Sequence, residues 1–406
     1  MRINRKRLQD TMDALGRIGE TPAGGLTRLA LSDEDRRGRD LLVGWMREAG
    51  LRVSIDQMGN IMGVRPVVSG PPVMMGSHAD SVPTGGKYDG QLGVLCALEA
   101  IRSLNDHDVK TRHPLGMIIF TNEEGARFQP AMIGSGVMAG KIPLEDAYNA
   151  RDKDGLRLGD ELERIGYLGS ELCAPRPFRA YLELHIEQGP ILDREAVPVG
   201  IVVGGYATRG MHVDVHGETA HAGPTPMDRR RNALVGAAML AVAVNDVGWK
   251  YHDTEGKATV ARLVAWPNKA GILSEYAQLT CDVRHADRAV ADRMLAEVKA
   301  AIPECARRAN VEMRVAGEWQ FGNERFDPGC IRLIREAAQR LNVPHRDILS
   351  QAGHDAYYVS RVAPTAMIFT PCHNGISHNE AEHAELDYTS PGVNVLLHAV
   401  LARANR

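Results

Sequence analysis

The spacing of apolar residues predicts alternating helices and strands over most of the chain. Apolar residues recur at steps of three and four within 34–49, which predicts an amphipathic helix. Short apolar runs at 73–75 and 115–120 predict strands, and the broad apolar face of 91–104 predicts a buried helix between them. This order of elements predicts an α/β domain in which helices cover a sheet.

A strict alternation marks the segment YLELHIE at 181–187. Leucine and isoleucine take the even positions, whereas Tyr181, Glu183, His185 and Glu187 take the odd positions. A period of two residues is typical of a half-buried strand. The pattern therefore predicts a strand that carries His185 on a polar face with two carboxylates.

The pattern changes over 207–320, where four strand-like segments and two helical segments follow one another. This set predicts an inserted α+β domain with a four-stranded antiparallel sheet. Helix–strand alternation returns from 321, and the run TAMIFT at 365–370 predicts a short strand. The sequence therefore predicts a larger discontinuous domain, formed by 1–206 and 321–406, that is interrupted by a smaller domain at 207–320.

The composition is that of an ordinary globular protein. Hydrophobic residues make up 44% of the 406 residues, charged residues 24%, and the net charge is −3. This charge predicts no basic surface for nucleic acid or for a membrane. We find no secretory signal and no run of about 18 apolar residues, and the six cysteines are scattered without a CxxC pair. We therefore expect a cytoplasmic protein with neither nucleic acid nor membrane as a partner.

Five potential metal ligands stand at the ends of predicted strands or in the loops that follow. They are His78, Asp89, Glu124, His185 and His378. Mixed nitrogen and oxygen donors suit a hydrolytic metal ion of the zinc type. Two metal ions about 3.5–4 Å apart need a bridging carboxylate and one or two further ligands each. Asp89 is the candidate bridge, with His78 and His185 completing one site and Glu124 and His378 the other.

Two further acids lie beside these ligands. Asp80 follows His78 by two residues, so that on an extended chain its carboxylate is expected to accept the second ring N–H of His78. Glu123 precedes Glu124 at the end of an apolar strand, where one acid can bind metal while the other acts as general base. Taken singly, each motif has a plainer interpretation as a solvated surface. Only their joint occurrence at strand ends favours a metal site.

The motifs GSHADSVPTGGKYDG, TNEEGARF, ELHIEQGP, GETAHAGPTPMDRRRNAL, DVRHAD, AGHDA and PTAMIFTPCHNGISH follow one another in this order. With them, the chain resembles the amidase/hydantoinase/carbamoylase branch of the M20 metallopeptidase family from Leu15 to the C-terminus. This branch includes N-carbamoyl-L-amino-acid hydrolases, β-ureidopropionase-like enzymes and allantoate amidohydrolases. The segment ELHIEQGP separates it from ordinary M20 peptidases.

The resemblance implies a catalytic domain that binds two divalent metal ions and has helices packed on a mostly parallel sheet. It also implies that the inserted domain is a lid through which the chain forms a homodimer. The implied ligand sets are the two described above, with Glu123 as the general base. Zinc is the expected ion, and the same donors accept manganese, cobalt or nickel.

The resemblance further implies contacts with the substrate. Gln188 in EQGP, Asn268 in PNKAGILS and Gly353 in AGHD would contact it, and Arg284 in DVRH would clamp a carboxylate. His221 in AHAG would stabilise the developing oxyanion, and in relatives this histidine reaches the active site of the partner subunit.

Plainer roles stay open for several of these residues. Arg284 could pair with a nearby acid instead, and Gln188 could cap a turn. The residues expected to face solvent or to support loops are His212, His216, His354, Asp355, His373 and His383.

One departure from the family pattern lies in the lid segment. Many relatives carry a sequence like PNAVNVIP, whose second asparagine touches the substrate. Here the segment is PNKAGILS, in which Asn268 matches the first asparagine and Gly271 replaces the second. We therefore hypothesise a pocket for a bulkier or differently oriented acyl-amide.

The sequence thus predicts a metal-dependent amidohydrolase for a small molecule that bears a carboxylate. The expected reaction converts an N-carbamoyl-L-amino acid into the amino acid, ammonia and carbon dioxide. The alternatives are hydrolysis of allantoate, of ureidoglycolate or of another N-acyl amino acid, and an ordinary aminopeptidase. A catalytically silent dimeric binding protein is the remaining alternative, and loss of a ligand or of the base would be its mark.

Overall fold

The computed structural model describes residues 1–66 and 68–406. The chain forms two compact units, the first made of Met1–Gly204 and Arg325–Arg406 and the second of Gly205–Glu324. The first unit is therefore built from both ends of the chain. The role of the second unit as a lid and dimerisation domain stays a prediction.

The strands over the described residues are, in chain order, β1 (Arg52–Ile55), β2 (Ile61–Val64), β3 (Val73–His78), β4 (Leu115–Phe120), β5 (Ala180–Ile186), β6 (Val199–Gly205), β7 (Ala207–His216), β8 (Lys257–Trp266), β9 (Tyr276–His285), β10 (Glu312–Gly322), β11 (His345–Ser350) and β12 (Thr365–Thr370). The predicted strands at 115–120 and 365–370 have these bounds.

The α-helices are α1 (Arg5–Gly16), α2 (Asp33–Glu48), α3 (Gln91–Asp106), α4 (Ile133–Met138), α5 (Leu144–Asn149), α6 (Leu158–Arg164), α7 (Ile191–Glu195), α8 (Ala233–Lys250), α9 (Arg288–Ala309), α10 (Pro328–Arg340), α11 (Asp355–Val359) and α12 (Leu386–Asn405). Local chemistry fixes where several begin. The Ser32 side chain caps α2 by accepting from the backbone N–H of Asp35, and acids fill its first turn.

The first unit contains an eight-stranded sheet in the order β1-β2-β4-β3-β5-β12-β6-β11. The four central strands, β4, β3, β5 and β12, run parallel, while β1, β2 and β6 pair antiparallel with their neighbours. This arrangement confirms the predicted α/β class with a mostly parallel core. Because parallel strands end at the same edge, the loops after β3, β4, β5 and β12 lie together.

The prediction that β5 is half-buried is wrong, because all seven of its residues are buried. The strand lies at the centre of the sheet, between β3 and β12. Its polar face is paired inside the protein, where Glu183 accepts hydrogen bonds from Ser77 Oγ at 2.7 Å and from Tyr181 Oη at 2.9 Å. A period of two identifies two different faces, but it does not show whether the polar face meets water or a buried site.

The second unit has the predicted four-stranded antiparallel sheet, in the order β10-β7-β9-β8, with α8 and α9 packed on it. Alternate residues of β7 and β9 point to one side, and Met211, Val213 and Leu279 form a core there with Leu240 and other apolar side chains of the helices. This confirms the predicted inserted α+β architecture.

Helix α8 is long and apolar enough to cross a membrane by length and composition alone. One stripe of it, including Ala237, Leu240 and Val244, is buried in the core of the second unit. The opposite face exposes Val242 and Trp249. The core helix of a globular domain meets the same test, and we interpret α8 as such a helix.

Close packing of α3 on the sheet holds the loop that precedes this helix. A Cβ added at Gly93 would lie 2.3 Å from the carbonyl oxygen of Leu184 and 2.9 Å from Cβ of Ser77. The backbone of α3 therefore approaches β3 and β5 closely, and only a glycine leaves the required space.

We predict that Gly93→Ala lowers the midpoint of thermal unfolding, because overpacking a tight contact costs about 1–3 kcal/mol. The matched control is Gly44→Ala in α2, where an added Cβ meets nothing within 4 Å. That change should leave the midpoint unchanged or raise it, since alanine is the better helix former. Equal effects of both substitutions, measured by calorimetry, would contradict the predicted contact.

Candidate metal centre

The carboxyl edge of the central strands brings the predicted ligands together. His78 ends β3, His185 is the penultimate residue of β5, and Glu124 follows β4. Asp89 lies just before α3, and His378 lies in the loop after β12. Residues separated by as many as 300 positions thus share one site, as expected for ligands beyond the carboxyl ends of parallel strands.

The carboxylate of Asp89 is the centre of this cluster. Its Oδ1 lies 3.1 Å from Nε2 of His185 and 3.6 Å from Nε2 of His78. Its Oδ2 lies 3.1 Å from Nε2 of His378, and that nitrogen lies 3.3 Å from Oε2 of Glu124. Each oxygen of Asp89 therefore belongs to a different group of side chains, which is the arrangement that a bridging carboxylate needs.

Backbone carbonyls fix which ring nitrogen of two histidines carries the proton. Nδ1 of His78 lies 3.0 Å from the carbonyl oxygen of Asp80, and Nδ1 of His185 lies 2.9 Å from that of Ile186. A carbonyl oxygen only accepts, so that Nδ1 is the donor. Nε2 then carries a lone pair that a metal ion would take or, in the charged ring, a proton that it donates to Asp89. Metal-binding histidines are oriented in this way.

The predicted partner of His78 is wrong in one respect. Its ring contacts the backbone carbonyl of Asp80, while the Asp80 carboxylate lies 3.8 Å from Nδ1. That carboxylate instead accepts from the backbone N–H groups of Glu123 at 3.2 Å and Glu124 at 3.3 Å. Strand β3 ends at His78, so that Asp80 lies beyond the regular strand. Asp80 therefore holds the loop of both glutamates in place.

Burial and charge shape the ionisation of the acids. Burial, with nearby Asp89, raises the pKa of Glu124 to about 8, and burial raises the pKa of Glu123 well above its ordinary value. Burial also opposes ionisation of Asp89, but hydrogen bonds from His185, His378 and His78 outweigh it and hold its pKa well below the usual range. Crowded buried acids of this kind are stabilised by added positive charge.

The donor set fits two divalent cations. One group of ligand atoms within 4.8 Å of one another comes from His78, Asp89 and His185, and a second comes from Asp89, Glu124 and His378. In addition, Oε1 of Glu124 is buried and has no hydrogen-bond partner among the described residues. Imidazole nitrogens together with carboxylate oxygens suit a hydrolytic metal ion.

A third group, Glu183 with His185 and His354, meets the same distance limit. The carboxylate of Glu183 already accepts hydrogen bonds from Ser77 and Tyr181, and Nε2 of His354 lies 3.1 Å from Oγ of Ser350. These contacts make the group a support for His185, and His354 is buried with its ring centre 4.5 Å from that of His185. The supporting role expected for His354 agrees with this position.

Two glycines of the segment GSHADSVPTGGKYDG make room for charged side chains. Gly90 has φ +63°, and a Cβ there would lie 2.3 Å from the ring of His78. A Cβ at Gly86 would lie 2.0 Å from Oε1 of Glu382. The glycine-rich composition therefore serves close approach rather than an exposed turn.

Sequence reasoning missed two residues that hold this edge. Arg28 is fully buried, and its Nε donates to the carbonyl oxygen of Ala79 at 2.8 Å, between His78 and Asp80. Glu382 is buried beside Asp89. Neither carries a local signal, since a lone arginine and a glutamate in an acidic stretch both resemble solvated side chains.

Gln188 contacts the proposed bridge directly. Its Nε2 donates to Oδ2 of Asp89 at 2.8 Å, and its Oε1 is buried without a partner among the described residues. Its φ is +58°, and that of His378 is +54°, which are unfavourable values for residues other than glycine. Such strain concentrates at functional sites. A contact of Gln188 with substrate stays a prediction, as does one of Gly353, which precedes His354.

The predicted residues of the second unit are described within that unit. His221 is exposed, and its Nδ1 accepts from the backbone N–H of Gly223 at 3.1 Å, so that its Nε2 carries the proton in the neutral ring. Asn268 lies exposed in the loop between β8 and β9. Arg284 pairs with Asp282, with N···O distances of 3.2 and 3.3 Å. This pairing is the alternative left open for Arg284.

Comparisons with known proteins identify the family. The model of peptidase family M20/M25/M40 matches residues 74–402. An N-carbamoyl-L-amino-acid amidohydrolase from Rhizobium meliloti is 42% identical over 405 residues, which cover 99% of this chain and 97% of that protein. A ureidoglycolate hydrolase from Arabidopsis thaliana is 33% identical over 96% of this chain and 84% of its own length.

A solved structure extends the likeness to the whole fold. The crystal structure of an amidase of the hydantoinase/carbamoylase family from Burkholderia vietnamiensis has a TM-score of 0.94 and 45% identity, covering 100% of this chain and 98% of its own. The predicted family and enzyme class are confirmed. This chain belongs to peptidase family M20/M25/M40, and it is a hydrolase of linear amide C–N bonds.

Proposed function

We propose that this chain hydrolyses N-carbamoyl-L-amino acids with the aid of two divalent metal ions. The observation that carries the proposal is the convergence of His78, His185 and His378 on the two oxygens of Asp89. The name of the Rhizobium meliloti relative supports the substrate class. Zinc is the first candidate ion, with manganese, cobalt and nickel as alternatives for the same donors.

In this proposal His78, Asp89 and His185 hold one ion, and Asp89, Glu124 and His378 hold the other. Bound there, such ions would polarise the scissile carbonyl and lower the pKa of a water. The side chain of His378 is 51% exposed, whereas those of His78 and His185 are buried. Substrate would therefore approach from the side of His378.

Glu123 is the proposed general base. Its carboxylate is buried, lies 3.7 Å from Nε2 of His78 and is held by the contact of its backbone N–H with Asp80. In its ionised form it accepts a proton from the attacking water, whose oxygen bonds to the ureido carbon. As the C–N bond breaks, the Glu123 carboxyl returns this proton to the leaving nitrogen. Cleavage of this one C–N bond gives the amino acid and carbamic acid, and the carbamic acid decomposes to ammonia and carbon dioxide.

The second unit would supply the remaining contacts. The N–H at Nε2 of His221 is a suitable donor for the oxyanion, because the backbone N–H of Gly223 already occupies Nδ1. Arg284 would bind the substrate carboxylate by sharing or exchanging its pairing with Asp282. Gln188, Asn268 and Gly353 are the other proposed contacts.

A ureidoglycolate-type or allantoate-type substrate is the second candidate. The Arabidopsis thaliana relative, named a ureidoglycolate hydrolase, favours it. These substrates share a ureido group and a carboxylate with N-carbamoyl amino acids, so that the same residues could act on all of them. A comparison of substrates therefore decides between the candidates.

We predict that Glu123→Gln lowers kcat about 10²–10⁴-fold, since general-base catalysis contributes this much. The metal content should not change, because Glu123 belongs to neither ligand set. Release of ammonia or free amino acid should be measured on N-carbamoyl-L- and D-amino acids, allantoate, ureidoglycolate, N-acetyl amino acids and dipeptides. The matched control is Glu145→Gln, an exposed glutamate of α5.

Faster hydrolysis of the L-carbamoyl compounds than of all other substrates is the expected wild-type result. A preference for dipeptides would instead support an aminopeptidase. Full activity of Glu123→Gln would exclude Glu123 as the general base. A wild type without activity on any of these substrates would support the alternative of a dimeric binding protein.

The lid segment gives a separate prediction about specificity. Gly271 has φ +86°, and an added Cβ would meet nothing within 4 Å. Its carbonyl oxygen accepts from the backbone N–H of Ala222, next to His221, so that the two predicted substrate loops are joined. Asparagine tolerates this backbone region better than most residues.

We therefore predict that Gly271→Asn folds normally and changes the ranking of kcat/KM among the substrates, in favour of small N-carbamoyl amino acids. Gly271→Ala is the control, because it adds a Cβ at the same positive φ without an amide. An unchanged ranking in Gly271→Asn, or the same change in both variants, would exclude a specificity role for this position.

The second unit also exposes four apolar side chains near one edge of its sheet, Val242 and Trp249 on α8 and Val264 and Trp266 on β8. These side chains are 61%, 69%, 41% and 64% exposed. Helix α8 packs against β8, and β8 is an edge strand of its sheet. An exposed apolar edge is a site for pairing with another chain. We propose that a second copy of this chain covers it.

We expect the wild type to sediment as a dimer and Val242→Lys to shift it towards the monomer, because the lysine charge would have to be buried. Val315→Lys is the control, since Val315 is exposed on β10 at the opposite edge of the same sheet. A monomeric wild type, or an unaffected Val242→Lys dimer, measured by analytical ultracentrifugation, would exclude this interface.

A further inference from the structure

Glu382 is a buried carboxylate with no role in either proposed ligand set. It is 6% exposed, although it lies in a loop whose neighbours His383 and Glu385 are exposed. A buried glutamate is costly unless its oxygens find donors. Its contacts therefore show what the side chain holds in place.

Its two oxygens join two separate loops of the metal centre. Oε1 accepts from the backbone N–H of Tyr88 at 2.8 Å and from that of Asp89 at 3.1 Å. Oε2 lies 2.8 Å from Oγ of Ser377, the residue before His378. One carboxylate thus ties the loop that carries Asp89 to the loop that carries His378.

Ser377 extends this link to the bridge itself. Its Oγ lies 3.2 Å from Oδ2 of Asp89, the same oxygen that faces His378. A hydroxyl has a single proton to donate, so that Glu382 and Asp89 share one donor. Together with Gln188, which donates to Oδ2 at 2.8 Å, these groups set the orientation of the Asp89 carboxylate.

Close packing at Gly86 supports the same position of the Glu382 carboxylate. An added Cβ at Gly86 would lie 2.0 Å from Oε1 and 2.1 Å from Cδ of Glu382. The second glycine of the TGGK segment therefore leaves the space into which Glu382 inserts. This packing is independent of the hydrogen bonds, and both features place the carboxylate at the same point.

We propose that Glu382 is a positioning residue of the metal centre. By fixing the backbone at Tyr88 and Asp89 and the hydroxyl of Ser377, it makes the two oxygens of Asp89 face different histidines. The inference rests on the proposed two-metal function. Because Ser377 adjoins His378, the ion held by Asp89, Glu124 and His378 depends on Glu382 more than the other ion does.

Cobalt binding to the metal-free full chain tests this inference, with Co²⁺ absorbance and equilibrium dialysis as readouts besides activity. The wild type should bind two Co²⁺ ions per chain. Glu382→Ala should retain the first and bind the second about 10–100-fold more weakly, which is the usual effect of removing a partner of a metal ligand. Glu385→Ala, three residues away and exposed, is the control and should match the wild type.

Glu382→Gln should recover most of the affinity. Its Oε1 can still accept from both backbone N–H groups, and its amide can donate to Oγ of Ser377, which leaves the hydroxyl proton for Asp89. A role that is merely structural predicts a different result, in which Glu382→Ala lowers the unfolding midpoint of the metal-free chain but leaves the affinity for cobalt unchanged. That result would overturn the inference.

The outcomes separate this inference from the proposed function. A wild type that binds fewer than two Co²⁺ ions overturns the two-metal proposal and the inference with it. A wild type with two ions and a Glu382→Ala variant of equal affinity overturns the role of Glu382 alone. If Glu382→Ala does not fold, Ser377→Ala decides. It removes the hydroxyl that contacts Glu382 and Asp89 but leaves the contacts of Glu382 with the backbone of Tyr88 and Asp89. An unweakened second ion in that variant would overturn the inference.

Discussion

The candidate metal centre depends on one carboxylate whose two oxygens face different groups of side chains. Asp89 directs Oδ1 at His78 and His185 and Oδ2 at His378. A buried carboxylate keeps its charge only where donors compensate for lost water, and here imidazoles hold its pKa down. For the neighbouring Glu123 and Glu124 the effect of burial is the larger one, and their pKa values rise. The site therefore contains one firmly ionised acid and two acids that need a positive charge nearby.

The fold supplies this geometry through rigid backbone rather than through long side chains. The carboxyl ends of parallel strands bring His78, His185 and the loop of Glu123 together, and backbone carbonyls orient the rings. Close packing at Gly93 fixes the helix that begins beside Asp89. Such preorganisation matters because hydrolysis needs its groups in place before the water attacks. Gln188 and His378, which have strained values of φ, lie in the same site.

The proposed metal ligands and several of the proposed substrate contacts lie in different units, which fits a family with several substrates. The proposed metal ligands lie at the strand ends of the first unit and in the loops near them, where a change of residue would remove the site. Of the proposed substrate contacts of the second unit, His221 and Asn268 lie in exposed loops, and Gly271 lies in the same loop as Asn268. Loops tolerate substitution, because few packing contacts restrain them. Relatives named for carbamoyl amino acids and for ureidoglycolate can therefore differ in substrate within one family.

The sequence by itself determined the elements, the family and the candidate ligands, because apolar periodicity and ordered motifs are local properties. The strands at 115–120 and 365–370 and the inserted sheet were predictable in this way. Only the tertiary structure decided that β5 is buried on both faces, since periodicity does not show what covers a face. It alone placed the Asp80 carboxylate on the backbone of Glu123 and Glu124, and Glu382 beside Asp89. These contacts join residues that are 43, 44 and 293 positions apart, and no local pattern encodes the turn of a loop that brings such residues together.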